Sequence, residues 1–433
     1  MTSAPELPTS VLNRRTRGAV LVLVLVCALE IVTALSARAQ MFSVIYNFTG
    51  GQDGANPQAG VTLNQAGNLY GTAARGGSLS GDCTARGFGT YGDGCGTVFE
   101  LKRENSGWLF NPLYIFHFDD GALPLARVVF GPDGLLYGTT SMGGNVNRNC
   151  DEVPATGCGV VFRLQPPATV CKSALCSWGE AVLWKFEGGI DGQFPSRGDL
   201  TFDSSGNIYV AAIIGDLELS PSDNGWTLHT LYPFSGPPTD EFYDQFPVGG
   251  LMLDPAGNLY SVGQSGGAYG GGGVYELTPS YPYWTFIDVH DNVGGTDGGV
   301  MFDSAGNLYG TTGSGGDYGG GTAYELSPSD GGWTFATLYN FSGSFGSYAV
   351  MTMDAAGNLY GTTVGDGAYG QGNVFELTPS NGQWIYRSLH DFTGGSDGGQ
   401  PYGQVTLDAN GNLYGTASMG GANNAGVVWE ITP

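Results

Sequence analysis

The hydrophobic and polar positions of the chain alternate in short runs, and glycine-rich turns separate the runs. One group of four such runs lies at residues 299–302, 308–312, 322–326 and 333–339. Alternation over a few residues favours half-buried β-strands, and no helical period of useful length appears after the N-terminal segment. The pattern therefore predicts four short strands, which we name a to d, within about 50 residues.

The same group recurs seven times, and one motif marks each copy. In its fullest form, at residues 303–312, the motif reads Asp-x-x-Gly-Asn-Leu-Tyr-Gly-Thr-Thr. The seven copies lie at residues 64–71, 132–140, 203–210, 254–261, 303–312, 354–363 and 408–416. An aspartate that caps a turn and a glycine that accepts a positive φ are typical of a tight turn, here the one between strands a and b.

Seven copies of four strands predict an all-β fold, a seven-bladed β-propeller of four-stranded blades. The chain enters this pattern with a d-like run at residues 43–48 and ends with a c-like run at residues 427–431. We therefore expect the N-terminal strand to pair into the last blade and close the ring, which would remove the exposed edge that an open stack would leave. A β-solenoid is the alternative, but a period of about 50 residues with four turns suits a blade better.

Aromatic residues fall at two fixed positions of strand d. The first position is tryptophan in most repeats: Trp108, Trp178, Trp226, Trp284, Trp333 and Trp384. The second is aromatic throughout: Tyr46, Phe116, Trp184, Tyr232, His290, Tyr339 and His390. A core that is repeated in every blade requires one aromatic ring at the same position of each repeat. We therefore expect these rings to pack between blades rather than to form a sugar-binding stripe. By the same argument His290 and His390 are interpreted as packing rings, not as catalytic residues.

Two other motifs accompany the first one, Phe-x-Gly-Gly-x-Asp-Gly-x-x-Pro before strand a and Gly-x-Val-Phe-Glu-Leu in strand c. Repeat one carries the three motifs at residues 48–57, 66–72 and 96–101, and repeat seven carries versions at residues 392–401, 408–416 and 426–431. In this combination the chain resembles the GloVer tandem-repeat family of exported bacterial proteins, over essentially everything that follows the first 39 residues. The resemblance implies a repeat fold and export; it implies no known activity and no catalytic residues.

The first 39 residues are predicted to be a secretory signal peptide, with one propeller domain at residues 40–433. A basic region at residues 14–17, an apolar run at residues 19–35 and an Ala-x-Ala cleavage site at residues 37–39 support this interpretation. An uncleaved signal anchor is the alternative, because the apolar run is nearly long enough to span a membrane. We expect cleavage, no membrane insertion afterwards, and a periplasmic, outer-surface or secreted destination.

The composition is acidic, with 39 Asp and Glu against 15 Lys and Arg and a formal net charge of −24. After Arg197, Arg387 is the only Lys or Arg in the sequence. A phosphate backbone and an anionic membrane surface both require clustered basic residues. We therefore expect neither nucleic acid nor an anionic membrane surface as a partner. The protein is expected to be a monomer that binds a glycan or another surface protein.

Six cysteines follow the N-terminal segment: Cys83, Cys95, Cys150, Cys158, Cys171 and Cys176. An even count in an exported protein indicates disulfides, although the sequence alone allows fifteen connectivities. We expect the local pairs Cys83–Cys95, Cys150–Cys158 and Cys171–Cys176, because each would close one insertion within one repeat. A zinc site is the alternative, but the Cys-x₂-Cys spacing is absent and no histidine lies near a cysteine.

Candidate ligand-binding residues lie on the loops between strands d and a and between strands b and c, which emerge at the same end of a propeller. They are Asp53, Asp120, Asp191, Asp297 and Asp397 in or near Gly-Gly-x-Asp-Gly loops, with Phe242 and Tyr243 in a longer loop of repeat four. The enlarged loops at residues 76–96 and 143–159 also break the repeat symmetry. Asp-Gly is an ordinary turn former as well, so the acids also have a purely structural interpretation.

A ring of such acids, with Asp317 and Asp366, could bind Ca²⁺. The dense Asp-x-Asp-x-Asp spacing of calcium loops is absent, so no cofactor is predicted and calcium is kept as an alternative. Paired carboxylates could also hydrolyse a glycoside, but the same acid recurs in most repeats. No Gly-x-Ser-x-Gly elbow and no P-loop occurs in the sequence, so no catalytic residue is predicted.

The sequence therefore predicts an exported propeller that acts as a binding or interaction module, with its ligand on the loops of blades one, two and four. One alternative is a polysaccharide-acting propeller enzyme, a hydrolase or lyase with or without a metal. Another is a structural protein of the cell envelope.

Overall fold

The structure is a computed structural model. It describes residues 40–78, 83, 94–104, 107–145, 150, 157–167, 177–188, 192–195, 197–213, 215–234, 247–264, 271–291, 294–295 and 298–433. Within these residues no helix is both long enough and apolar enough to span a membrane. The segment predicted to be a signal peptide lies outside the described residues.

The described part of the chain contains 28 strands, arranged in seven sheets of four antiparallel strands. Each sheet is one blade, numbered in chain order. Strand β1 is Met41–Asn47, and blade one consists of Thr62–Leu63 (β2), Leu69–Ala73 (β3), Thr97–Glu104 (β4) and Gly107–Ile115 (β5). Blade two consists of Val129–Phe130 (β6), Leu136–Thr140 (β7), Val160–Gln165 (β8) and Gly179–Lys185 (β9). Blade three consists of Thr201–Phe202 (β10), Ile208–Ala212 (β11), Gly215–Ser222 (β12) and Gly225–Pro233 (β13). Blade four consists of Met252–Leu253 (β14), Leu259–Gly263 (β15), Gly273–Thr278 (β16) and Thr285–Asp291 (β17), and blade five of Val300–Phe302 (β18), Leu308–Thr311 (β19), Thr322–Ser329 (β20) and Gly332–Asn340 (β21). Blade six consists of Thr352–Met353 (β22), Leu359–Thr363 (β23), Asn373–Ser380 (β24) and Gln383–Asp391 (β25). Blade seven begins with Thr406–Leu407 (β26), Leu413–Ala417 (β27) and Val427–Thr432 (β28).

Strand β1 completes blade seven, because it pairs with β28 as the fourth strand of that sheet. The backbone N–H of Phe48, just after β1, donates to the carbonyl of Gly426 at 3.1 Å. The predicted seven-bladed propeller and its closure by the N-terminal strand are confirmed. Closure pairs the edge that β28 would otherwise expose.

The repeated motif builds the turn between strands a and b. In blade five, one carboxylate oxygen of Asp303 accepts the backbone N–H groups of Ala305 and Asn307, at 2.8 and 2.9 Å. The other accepts the Asn307 side chain at 2.8 Å, and Gly306 takes a φ of +87°. Burial acts to raise the pKa of Asp303, but the hydrogen bonds from Asn307 and Ala305 outweigh burial and hold the pKa below its usual value. The motif is thus a self-contained turn, as the sequence predicts.

A threonine of the same motif joins neighbouring blades. Its hydroxyl donates to a carbonyl just before strand a of the next blade, and this bond recurs as Thr72 to Ala126, Thr311 to Ala349, Thr362 to Gly403 and Thr416 to Ala59. The last of these bonds, at 2.7 Å, connects blade seven to blade one. The motif therefore contributes to the ring as well as to its own turn.

The glycine of the motif makes room for an aromatic ring of strand c. A Cβ atom on Gly71 would lie 2.5 Å from the ring of Phe99, and Gly361 has the same relation to Phe375. Blade three carries Val210 and Leu217 at the two positions instead. In blade three a smaller strand-c residue thus accompanies the larger motif residue, which keeps the packed volume similar at this site.

The strand-d aromatics pack between blades, as predicted. The first ring of strand d lies against the motif tyrosine of the preceding blade, as in Tyr260–Trp333 and Tyr309–Trp384, with centroids 6.2 and 6.1 Å apart. The two histidines stack on aromatic rings, Phe42 on His390 at 3.6 Å and His290 on Phe335 at 4.6 Å.

One assignment within this set is wrong. In blade one Tyr114, not Phe116, is the residue that pairs with Val98 in strand c, so Tyr114 is the equivalent of Tyr232 and Tyr339. The spacing of the aromatics agrees with this correction, because Tyr114 follows Trp108 by six residues, as Tyr232 follows Trp226, whereas Phe116 follows Trp108 by eight.

Candidate functional site

The first strands of the seven blades surround a central channel. A cavity of about 1040 Å³ is lined by residues in or just before strand a of every blade. Because the strands of each blade are antiparallel, the loops between strands b and c and those between d and a emerge at one end of this channel. We call that end the loop face and the opposite end, with the a–b and c–d turns, the turn face.

A small residue shortly before strand a lets the inner strands approach one another. It is Ala59, Ala126, Gly198, Gly249, Gly298, Ala349 or Gly403 in the seven blades. A Cβ atom on Gly198 would lie 2.5 Å from the backbone nitrogen of Gly250 in the next blade, and one on Gly403 would lie 2.2 Å from that of Gly60. Most of the residues that flank this position also line the channel, and they contribute its charged, amide and aromatic side chains.

The flanking positions break the repeat symmetry. The residue after the small one is glycine in blades one, four and five (Gly60, Gly250 and Gly299), whereas the other blades have Arg127, Asp199, Val350 and Gln404 there. The residue before the small one also varies, and it includes Gln58, Arg197 and Tyr402. Five of the side chains that line the channel are called the channel cluster below: Gln58, Arg127, Arg197, Asp199 and Tyr402.

Two arginines organise the channel cluster. Arg127 of blade two forms an ion pair with Asp199 of blade three, in which its Nε lies 2.8 Å from one carboxylate oxygen, and a second nitrogen of the guanidinium bonds to the same oxygen. Arg197 of blade three donates to the side-chain carbonyl of Gln58 in blade one at 3.0 Å, and its guanidinium lies 4.6 Å from the ring centroid of Tyr402 in blade seven. Since blades three and seven are not neighbours, the Arg197 side chain reaches across the channel.

None of the residues of the channel cluster is among the ligand-binding residues that the sequence predicts. The signal that was available is the small residue before strand a in every repeat, which identifies the two flanking positions as the ones facing the axis. Arg127 and Arg197 at these positions are conspicuous in a chain with few basic residues.

The predicted ligand-binding acids that the structure describes are engaged in their own loops. Asp53 accepts the Tyr46 hydroxyl at 2.9 Å and the backbone N–H of Thr49 at 2.8 Å. Asp120 accepts the Tyr114 hydroxyl at 2.6 Å and the N–H of His117 at 2.7 Å. These bonds favour the turn interpretation, and ligand binding by these acids stays a prediction.

Asp397 repeats the arrangement with a histidine in place of the tyrosine. It accepts the N–H of Thr393 at 3.0 Å and lies 3.1 Å from Nε2 of His390. Burial acts to raise the pKa of Asp397, but the bonds from Thr393 outweigh it and hold the pKa below the usual value. Burial lowers the pKa of His390, and Asp397 only partly opposes this effect. The neutral, stacked imidazole therefore fits a packing role near pH 7.

The two acids considered for a metal site also have local partners. Asp317 accepts the side-chain amide of Asn340 at 3.1 Å, and Asp366 is buried and accepts the Ser342 hydroxyl at 3.2 Å. Among the described residues, no group of three or more His, Cys, Asp or Glu side chains is placed to hold a metal ion.

Several predicted residues lie outside the described residues. They are Asp191, Asp297, Phe242 and Tyr243 among the ligand-binding candidates, and the pair Cys171 and Cys176. The other two predicted disulfides are present, Cys83–Cys95 and Cys150–Cys158, with Cα atoms 5.2 and 5.6 Å apart. The described cysteines are all buried, so the two bridges anchor the enlarged loops of blades one and two to the core.

Comparison with known proteins agrees with this architecture. The chain matches the family model described as Gloeobacter/Verrucomicrobia repeat at residues 152–353 and 247–433. A comparison with curated proteins gives no match.

Several solved structures are similar to the chain at low identity. The chain is similar to the extracellular domain of a protein named as a hybrid two component system from B. thetaiotaomicron, with 14% identity and a TM-score of 0.50; the similarity covers 90% of this chain but only 41% of that one. It is also similar to a protein named as an oxidoreductase (glucose dehydrogenase) from Thermus thermophilus, with 14% identity, 90% and 99% of the two chains covered and a TM-score of 0.42. A gluconolactonase from Xanthomonas campestris gives 12% identity, 69% and 82% coverage and a TM-score of 0.37.

Likeness at these identities concerns the fold alone. The family match is of a different kind, because its two regions together run from residue 152 to the last residue and carry the repeated motifs. The resemblance found in the motifs is thereby confirmed: the chain belongs to the Gloeobacter/Verrucomicrobia repeat family.

Proposed function

We propose that the protein is an exported binding module whose ligand, a glycan or another surface protein, enters the mouth of the central channel from the loop face. The observation that carries this proposal is the channel cluster. Glycine serves the architecture at the equivalent positions Gly250 and Gly299, so the ring itself does not require Arg127 or Asp199 there. Loops and cavities on a rigid repeat scaffold are common places for binding residues.

The chemistry of the cluster suits a polar ligand with flat faces. Arg197 lies over the ring of Tyr402, and a guanidinium held in this way keeps further N–H groups directed along its plane. The side-chain oxygen of Gln58 accepts from Arg197 and its nitrogen donates to Asn56, which fixes the orientation of this amide beside the guanidinium. All three side chains are partly buried, which strengthens hydrogen bonds relative to those made in open water.

Export is supported by the disulfides. Two bridges in one chain are typical of an oxidising compartment, and the sequence predicts a signal peptide before the propeller. The destination we propose is the periplasm, the outer surface or the surrounding medium.

The proposed position of the ligand differs from the one expected from loop lengths. The sequence points to the loops of blades one, two and four, whereas the channel cluster comes from blades one, two, three and seven. Blades one and two belong to both sets.

The test combines a glycan array with a pull-down from bacterial surface extract, using wild type, Arg197→Gln and Tyr402→Ala. We expect each substitution to weaken binding at least about tenfold, because each removes one half of the stacked pair. Arg387→Gln is the matched control, since Arg387 lies in the outer strand β25 and is largely exposed. Unchanged binding by both channel variants, with unchanged melting temperatures, would exclude the channel mouth as the site.

A further inference from the structure

Three large aromatic side chains of blades five and six are exposed on the loop face. Tyr318 is 70% exposed, Phe345 55% and Tyr369 62%. Tyr318 and Tyr369 occupy the same place in the b–c loops of blades five and six, and Phe345 lies in the d–a loop between those blades. Their exposure contrasts with the strand-d rings, which are used in packing between blades. We call these three residues the loop platform.

The three loops of the loop platform touch one another through their backbones. The N–H of Gly365, four residues before Tyr369, donates to the carbonyl of Phe345 at 2.9 Å. On the other side, the N–H of Gly346 donates to the carbonyl of Gly313 in blade five at 3.0 Å, and a Cβ atom on Gly346 would lie 2.4 Å from the carbonyl oxygen of Gly320. The Phe345 loop is therefore held between the loops that carry Tyr318 and Tyr369.

Tight turns fix the two tyrosines. Gly319 and Gly370 follow them with φ values of +78° and +65°, and their N–H groups bond back to Gly316 and Gly367. Next to Tyr318, the N–H of Asp317 donates to the side-chain oxygen of Asn340 in strand β21 at 3.0 Å. Rings mounted on fixed turns lose little conformational entropy when a ligand binds.

The surroundings of the loop platform are polar and lack cations. Ser314, Asp317, Ser342, Ser344 and Gln371 lie on the same loops, which therefore carry hydroxyl, carboxylate and amide groups. No Lys or Arg occurs between residue 198 and residue 386 of the sequence. An anionic polymer would meet only negative charge here, whereas a neutral, hydroxyl-rich one would meet both flat rings and hydrogen-bonding groups.

We propose that the loop platform of Tyr318, Phe345 and Tyr369 binds a neutral polysaccharide chain. Sugar rings present C–H bonds on their flat faces and hydroxyl groups at their edges. The negative face of an aromatic ring attracts the C–H groups, while neighbouring polar side chains take the hydroxyls. Three rings on three adjoining loops fit successive units of one chain better than they fit a single small molecule.

The loop platform leads toward the channel mouth. Tyr348 follows Phe345 in the same loop, and a Cβ atom on Gly313 would lie 2.9 Å from its ring. The ring of Tyr348 lies 5.8 Å from that of Tyr402, which carries Arg197 on its face. This inference rests on the proposed function, because it gives the chemical class of the ligand and places the polymer on the rim beside the channel cluster.

The test is affinity electrophoresis of the mature protein in gels that contain a β-glucan, xylan, galactomannan or polygalacturonate. We expect retardation by at least one of the three neutral polymers and none by polygalacturonate. Tyr318→Ala, Phe345→Ala and Tyr369→Ala should each weaken binding roughly three- to tenfold, and the triple variant should abolish it. Tyr318→Phe should retain binding, since the ring remains.

Tyr283→Ala is the matched control, because Tyr283 is 50% exposed but lies in the c–d turn of blade four on the turn face. The inference is overturned if the triple variant binds as wild type does, if only polygalacturonate is bound, or if no neutral polymer is bound. Loss of binding in Tyr402→Ala without loss in the triple variant would overturn the loop platform and leave the channel proposal standing. A protein captured in the pull-down, with no polysaccharide bound, would do the same.

Discussion

The Tyr275 hydroxyl of blade four donates a 2.7 Å hydrogen bond to the carboxylate of Asp216 in blade three. Both side chains are buried, and the second carboxylate oxygen of Asp216 has no hydrogen-bond partner among the described residues. The other blades have an apolar residue at the position of Asp216: Val98, Val161, Val274, Ala323, Val374 and Val428. Burial raises the pKa of Asp216 to about 7.

This carboxyl group should make stability depend on pH. The folded-state pKa lies above the ordinary value of 3.8, so the stabilising effect of protonation is fully present below about pH 4 and is lost as the pH rises to about 7. We expect Asp216→Asn to match wild type near pH 4 and to exceed its free energy of unfolding at pH 8 by up to about 4 kcal/mol. Denaturant titrations at the two pH values measure the difference.

The comparison must be made between variants, because other groups titrate in the same range. Burial, then Asp120, raises the pKa of half-buried Glu180 to about 7, and Glu180 is present in both proteins. Asp223→Asn changes an exposed acid of the same blade and should leave the pH profile of wild type unaltered. Equal pH profiles for wild type and Asp216→Asn would contradict the prediction.

A second prediction concerns the glycine that faces an aromatic ring. Gly71→Val should lower the free energy of unfolding by about 1–3 kcal/mol, since its Cβ would lie 2.5 Å from the Phe99 ring. Phe99→Leu in the same chain should recover part of the loss, because blade three combines Val210 with Leu217 at these positions.

A double-mutant cycle at this pair measures the coupling. Phe99→Leu alone should also destabilise, by about 1 kcal/mol, because it leaves a space over Gly71. The two single effects should sum to clearly more than the effect of the double variant. If the two single effects on the free energy of unfolding add up to the effect of the double variant, the side chains at residues 71 and 99 do not compete for the same space.

The third prediction concerns the bond that joins blade seven to blade one. Thr416→Val keeps the shape of the side chain but leaves the Ala59 carbonyl without its 2.7 Å hydrogen bond. We expect a loss of about 1–3 kcal/mol, because the group left unsatisfied is buried. Thr334→Val, at an exposed position of strand β21, should change the free energy of unfolding by less than about 0.5 kcal/mol. Equal effects of the two substitutions would argue against the role of Thr416.

The fourth prediction concerns the disulfides of blades one and two. Replacing Cys83 and Cys95, or Cys150 and Cys158, by alanine should each lower stability by about 2–3 kcal/mol, since the bridges close sequence separations of 12 and 8 residues. Dithiothreitol should lower the melting temperature of wild type by more than that of the four-alanine variant. A wild-type melt that is unchanged by the reductant would contradict a stabilising role.

Much of the fold was predictable because its signals are local and repeated. The Asp303 to Asn307 turn is specified by residues within one five-residue segment, and alternation fixes which side chains of each short strand are buried. Because the seven copies have the same order of strands and turns, a propeller allows each copy to bury its hydrophobic residues against its neighbours. The Cys83–Cys95 and Cys150–Cys158 pairs were predictable for the same reason, since each closes within one loop.

Only the tertiary structure identified the channel cluster. Gln58, Arg197 and Tyr402 are far apart in the sequence, and they meet because ring closure places strands a of different blades around one axis. Asp53, by contrast, has the composition of a site residue but makes its hydrogen bonds with Tyr46 and Thr49 a few residues away. Local chemistry in a repeat thus specifies turns, strands and bridges, whereas the contacts across the channel depend on the angle and number of blades, which no single repeat encodes.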